Sequence, residues 1–171
     1  MGQLTNQIGE AVEGGWYALV KPIAFALGVN DQGTAQTVDL RTWRNGATDL
    51  ALPAVVVQAQ QVRSEFGMNG PLFAVNLSLM TITYAPDDAD QTDLNSIAGD
   101  LEGLAINTTP DELTVAMTNV TCHGIEFSDE TIEFAENRQT LSVDLIIHIQ
   151  IDSAMPTTTT TTTSTTTTTT T

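Results

Sequence analysis

Between positions 4 and 27 apolar residues recur at Leu4, Ile8, Val12, Trp16, Leu19, Val20, Ile23 and Leu27. That is the three-to-four spacing of one helical stripe, and it predicts an N-terminal amphipathic helix. Pro22 is expected to kink or divide the helix, because proline removes a backbone donor and clashes with the preceding turn. Gly14 and Gly15 weaken its middle, and Gly28 followed by Asn30, Asp31, Gln32 and Gly33 supplies a stop.

Residues 37–43 alternate and lead into Asn45-Gly46, a dipeptide suited to the positive backbone angles of a tight hairpin turn. The β-branched run at 52–57 is expected to be the second strand of that hairpin, with Pro53 near its beginning, where a missing donor costs least. A further turn is expected at 67–71. Phe73, Val75, Leu77 and Leu79 then alternate with Ala74, Asn76, Ser78 and Met80, the pattern of a long strand with one buried face. Pro86 ends it. The acids of 87–93 lead into Leu94, Ile97, Leu101 and Leu104, a second amphipathic helix with negative charge at the positive end of its dipole.

After Pro110 strand character is expected to return through 115–122, with a charged turn around Ser128, Asp129 and Glu130. The last strand is the clearest, with Leu141, Val143, Leu145, Ile147, Ile149 and Ile151 on one face and Ser142, Asp144, His148, Gln150 and Asp152 on the other, broken only by Ile146. The order of elements predicts an α+β fold: a mostly antiparallel sheet with an N-terminal helix and a second helix packed on one face. Residues 1–155 are expected to form a single domain and 156–171 a threonine-rich low-complexity tail, which has no apolar side chains from which to build a core.

Composition narrows the partners. Five lysines and arginines stand against 21 aspartates and glutamates, a net charge of −16. Wrapping of nucleic acid requires clustered cations that release counterions, so that class is disfavoured, as is an anionic membrane surface. The start of the chain lacks the basic and apolar regions of a signal peptide, and no run approaches the roughly 20 apolar residues that span a bilayer. A single cysteine, Cys122, leaves no internal disulfide.

Signatures of catalysis are missing. The chain contains no Gly-x-Ser-x-Gly elbow, no phosphate loop and no His-Glu-x-x-His. Cys122 and His123 are strand neighbours and are expected to point to opposite faces, a buried thiol beside an exposed imidazole. His148 is expected to be a surface or interface histidine, because no second histidine or cysteine shares its spacing. Asp87, Asp88, Asp90 and Asp93 fail the calcium-loop pattern and are expected to cap the following helix. Glu126, Glu130, Glu133 and Glu136 could supply an acid and a base, as in any acidic protein of this size. No cofactor, metal or catalytic residue is expected, and no enzyme.

Arg41-Thr42-Trp43-Arg44 concentrates two of four arginines and one of two tryptophans beside the Asn-Gly turn. Arginine and tryptophan are enriched at binding hot spots, and on an acidic protein a cationic patch seeks an acidic surface, which a second copy would supply. Arg41, Trp43 and Arg44, with Arg63 and Phe66, are the candidate subunit-interface residues; the alternative reading of the cluster is that Trp43 caps the core and its arginines are solvated.

The order of segments carries a resemblance. A helix leads to Leu-Pro-Ala-Val-Val-Val at 52–57, a long strand ends in Thr83-Tyr84-Ala85, an acid-capped helix begins at Asp90-Gln91-Thr92-Asp93-Leu94, and the chain closes on Gln139-Thr140-Leu141-Ser142-Val143-Asp144-Leu145. Over residues 3–152 this resembles the tail-terminator and tail-completion proteins of long-tailed bacteriophages. The resemblance implies a structural virion protein in the tail or neck, assembled in the host cytoplasm. It also implies a ring, usually of six copies, joining the tail tube to the head connector. Six copies would carry 6 × −16 = −96 formal charges, so that DNA could pass an acidic lumen without sticking. The alternatives are a tail-tube or baseplate subunit and a surface binding module with a mucin-like threonine stalk.

Overall fold

The computed structural model describes residues 2–46, 48–67 and 70–151. The threonine tract and Asp152 lie outside them, as does the side chain of Phe66. A first helix, α1 (Gly2–Val20), is followed by the strand β1 (Asp39–Thr42) and a one-turn 3-10 helix (Trp43–Asn45). Two long strands come next, β2 (Ala54–Gly67) and β3 (Gly70–Tyr84), then the helices α2 (Thr92–Asn107) and α3 (Pro110–Ala116), and finally β4 (Val120–Ala135) and β5 (Arg138–Ile151). The five strands form one sheet in the order β1-β2-β3-β5-β4. Every pairing is antiparallel except that of β1 with β2. This is the expected α+β architecture.

One core holds it together. Ile8, Val12, Trp16 and Val20 of α1, at steps of four, and Leu94, Ile97 and Leu101 of α2 meet one face of the sheet. That face is built from Val55 and Val57, from Val75, Leu77 and Leu79, and from Leu141, Val143, Leu145, Ile147 and Ile149. The alternating residues of β3 and β5 segregate as their period of two requires. Burial of each large side chain is worth about 1.5–3 kcal/mol. The opposite face carries no described helix and mixes apolar residues such as Val56, Met80 and Ile82 with polar ones: Gln60 donates to Ser78 Oγ at 2.8 Å, and Ser78 in turn donates to Asp144.

Four sequence expectations give way to the structure. The first helix stops at Val20, because Pro22 cannot continue it, and Ile23, Phe25 and Leu27 pack on the core from a non-helical segment instead. The expected hairpin at 37–57 is a parallel pair, with Asp39 opposite Ala54 and Thr42 opposite Val57. Asn45-Gly46 does not join two antiparallel strands: it closes the 3-10 turn, where Gly46 takes φ 100°, and the chain crosses back to begin β2 alongside the start of β1.

Residues 115 and 116 belong to α3. Thr109 Oγ1 accepts from Glu112 N while the Glu112 carboxylate accepts from Thr109 N at 2.8 Å, a reciprocal cap that starts a helix at Pro110. The charged segment 128–130 is no turn: β4 runs through it, and its register against β5 shifts between Phe127 and Asp129.

The acids of 87–93 do cap α2. Asp88 accepts the backbone N–H groups of Asp93 and Leu94, both at 2.9 Å. Asp93 then accepts from Gly28 N at 2.9 Å and Gln36 Nε2 at 2.7 Å, which fastens the segment between α1 and β1 to the start of α2.

Candidate functional site

The sheet has two edges of opposite character. One is formed by β1 and by the part of β2 that β1 does not reach. β1 pairs with residues 54–57, and Glu13 of α1 takes the Ala59 N–H at 2.8 Å, so, among the described residues, 61–67 have β3 as their only strand neighbour. The other edge is the whole length of β4.

The interface residues expected from sequence fall on the first edge, but they do not form one cluster. Arg41 lies half-exposed with its Nε donating to Asp39 Oδ1 at 2.8 Å, and that hydrogen bond holds the Asp39 carboxyl below its ordinary range. Trp43, on the 3-10 turn, is 53% exposed. Arg63 sits six positions beyond Val57, the partner of Thr42, so about 20 Å of strand separates it from the Arg41–Trp43 corner. It lies on the helix-free face and reaches Asn76 Oδ1 at 3.4 Å. Phe66 stands near the far end of β2, and its side chain is outside the described residues.

Arg44 serves its own chain. Its guanidinium lies across α1, bonding Asn6 and approaching Glu13 with Nε 3.3 Å from Oε2. Gly9 permits this, since a Cβ there would collide with the guanidinium. Glu13 is buried, and desolvation raises its pKa; the Ala59 N–H and the charge of Arg44 act in the opposite direction. Arg44 thus compensates a buried carboxylate beside the irregularity in β2 between Ala59 and Gln61.

The β4 edge was not among the expected interface residues. Its first half lies under the helices, with Val120 and Cys122 buried. Burial pushes the Cys122 thiol up, while His123, at a register shift, is exposed and lies 3.0 Å from Gln150 Oε1. Beyond Ile125 the strand extends past the helical layer. Phe127, Ile132 and Phe134 are cross-strand neighbours of Leu145, Leu141 and Gln139, on the helix side of the sheet, yet they are 48%, 47% and 65% exposed. Glu130 shares that side, while Glu126, Asp129 and Glu133 lie on the helix-free side. A cavity of about 360 Å³ opens between the junction of α2 with α3 and the sheet, lined by Ile106, Pro110, Ile125, Phe127 and Leu145 among others. A partial sequence signal was present: apolar and acidic residues alternate at 125–127 and again at 132–134, and no glycine or proline breaks 125–134.

On the helix-free face, His148 lies between a glutamate of β4 and one of β2, which reaches it across β3, with Nδ1 3.1 Å from Glu65 and Nε2 3.1 Å from Glu126. No group of three or more histidine, cysteine or acidic side chains is arranged to hold a metal ion among the described residues. No described helix is long and apolar enough to cross a membrane.

No protein-family model and no curated protein matches the chain. Among solved structures, the chain is similar to one from the virion of a native gene transfer agent particle. The match has a TM-score of 0.54 and 13% identity, and it covers 85% of this chain and 94% of that one. At that identity the likeness establishes a shared fold: nearly the whole of the virion chain has its counterpart here.

Proposed function

We propose that the protein is a structural virion component, a ring-forming tail-terminator or tail-completion subunit at the head-tail junction of a phage-like particle, and that it makes and breaks no covalent bonds. The observation that carries this reading is the fold likeness to a chain of a gene transfer agent virion, extending over 94% of that chain. Charge and surface support it. A ring of six would carry −96 formal charges. The helix-free sheet face, with Glu65, Glu126, Asp129, Glu133 and Asp144 against Arg63 and Arg138, is the surface suited to line a passage for DNA, because it repels phosphate. Its partners on this reading are copies of itself, then tail-tube and head-connector proteins.

Negative-stain microscopy of the purified protein tests the proposal. Discrete closed rings are expected. Open filaments would favour the tail-tube alternative, since head-to-tail contacts that fail to close propagate indefinitely. Single particles of monomer size at every concentration would overturn both.

A further inference from the structure

The two sheet edges are complementary in charge and in apolar content. Residues 126–136 carry Glu126, Asp129, Glu130, Glu133 and Glu136 and no lysine or arginine. Residues 39–67, which span β1 and β2, carry Arg41, Arg44 and Arg63, three of the four arginines, against Asp39, Asp49 and Glu65, a net charge of zero on a chain of −16. Each edge also exposes large apolar side chains, Trp43 on one and Phe127, Ile132 and Phe134 on the other.

Resting on the ring-forming reading above, we infer that β4 of one copy docks on the β1–β2 edge of the next, with the Phe127–Ile132–Phe134 stripe covered by the neighbour's Trp43 corner and its acids facing Arg41 and Arg63. Contact between two β4 edges is the alternative among copies of this chain, and it would set five acids against five. Like charges brought together in this way are destabilising. The register shifts in β4 at 122–124 and 127–129, together with its acids, discourage indiscriminate strand pairing and leave the arginine-bearing edge as the suitable partner. Because the two surfaces differ, the contact is heterologous and continues from copy to copy. Arg44 contributes nothing across the joint, being occupied by Glu13.

A charge exchange tests this. One variant carries Glu130→Arg and Glu133→Arg, the other Arg41→Glu and Arg63→Glu, and both are compared with the wild-type protein by sedimentation velocity. Each variant alone is expected to sediment as the 18.2 kDa monomer, with the far-ultraviolet dichroism of the wild type. Mixed in equal amounts they are expected to regain the wild-type assembly. In the mixture half of the joints retain the original acid-to-arginine contacts at these positions and half present them with the signs exchanged. If the wild type assembles but either variant alone does so equally well, or the mixture stays monomeric, the edge assignment is wrong while the ring reading stands. If the wild type is monomeric at all concentrations, the ring reading itself fails.

Discussion

β4 and β5 run side by side over almost their whole length, and both place apolar residues on the helix side of the sheet, yet those side chains have opposite fates. Leu141, Val143, Leu145, Ile147 and Ile149 of β5 are at most 2% exposed beneath the helices. Phe127, Ile132 and Phe134 of β4, on the same side of the sheet, remain about half-exposed or more. Alternation records which face of a strand is apolar. It does not record whether a layer of the same chain covers that face, and in β4 the helical layer ends before the apolar stripe does.

The contrast can be broken most severely from the β5 side. Leu145→Ala leaves a cavity in the close-packed core and is expected to cost about 2–5 kcal/mol in denaturant unfolding. Phe134→Ala, by comparison, removes an exposed ring. Next in size is Arg44→Ala, which strips the counter-charge from buried Glu13; a loss of about 1–3 kcal/mol is expected.

The same pair sets a pH signature. Because folding raises the Glu13 pKa, the folded state holds that proton more tightly. The Glu13 contribution is therefore full below the unfolded value of 4.5 and declines as pH rises through the raised folded pKa. Glu13→Gln is expected to flatten that decline. Asp39, whose pKa is lowered, acts in the reverse sense: its contribution is present above 3.8 and is lost as pH falls below that.

Thr109→Ala removes the cap of α3 and is expected to cost about 1 kcal/mol in thermal or denaturant unfolding. The smallest effect on the isolated subunit belongs to Phe134→Ala, expected within about 0.5 kcal/mol of the wild type, while assembly measured by light scattering weakens. A loss comparable to that of Leu145→Ala would mean that Phe134 is part of the subunit's own core.

Much of this fold was legible in the sequence where one physical signal dominated. The steps of four from Ile8 to Val20 mark α1, the alternations mark β3 and, apart from Ile146, β5, and the acids before Leu94 mark the start of α2. The failures arose where two signals competed. Asn45-Gly46 suits a hairpin turn, but which strand pairs with which depends on long-range packing, and here the turn closes a 3-10 helix within a parallel crossover. Val115 and Ala116 read as strand, yet the Thr109–Glu112 cap and Pro110 at the helix start fix a helix. The candidate interface was half legible: scarce arginines and an exposed tryptophan marked one edge. Glu13 and Arg44 meet across 31 residues of sequence, so no local pattern could show that Arg44 is already engaged. The β4 edge was hidden because acids beside Ser128 resemble a turn, whereas a register shift lets the strand continue through them.

Amide hydrogen exchange, followed in concentrated assembled protein and again after dilution to the monomer, tests the central claim most directly. If the β4 stripe is covered by a neighbouring copy, amides of 127–135 and 61–67 slow on assembly while those of β5, already enclosed within the sheet, do not change. Equal exchange at 127–135 in both states would contradict the claim that this edge is the joint.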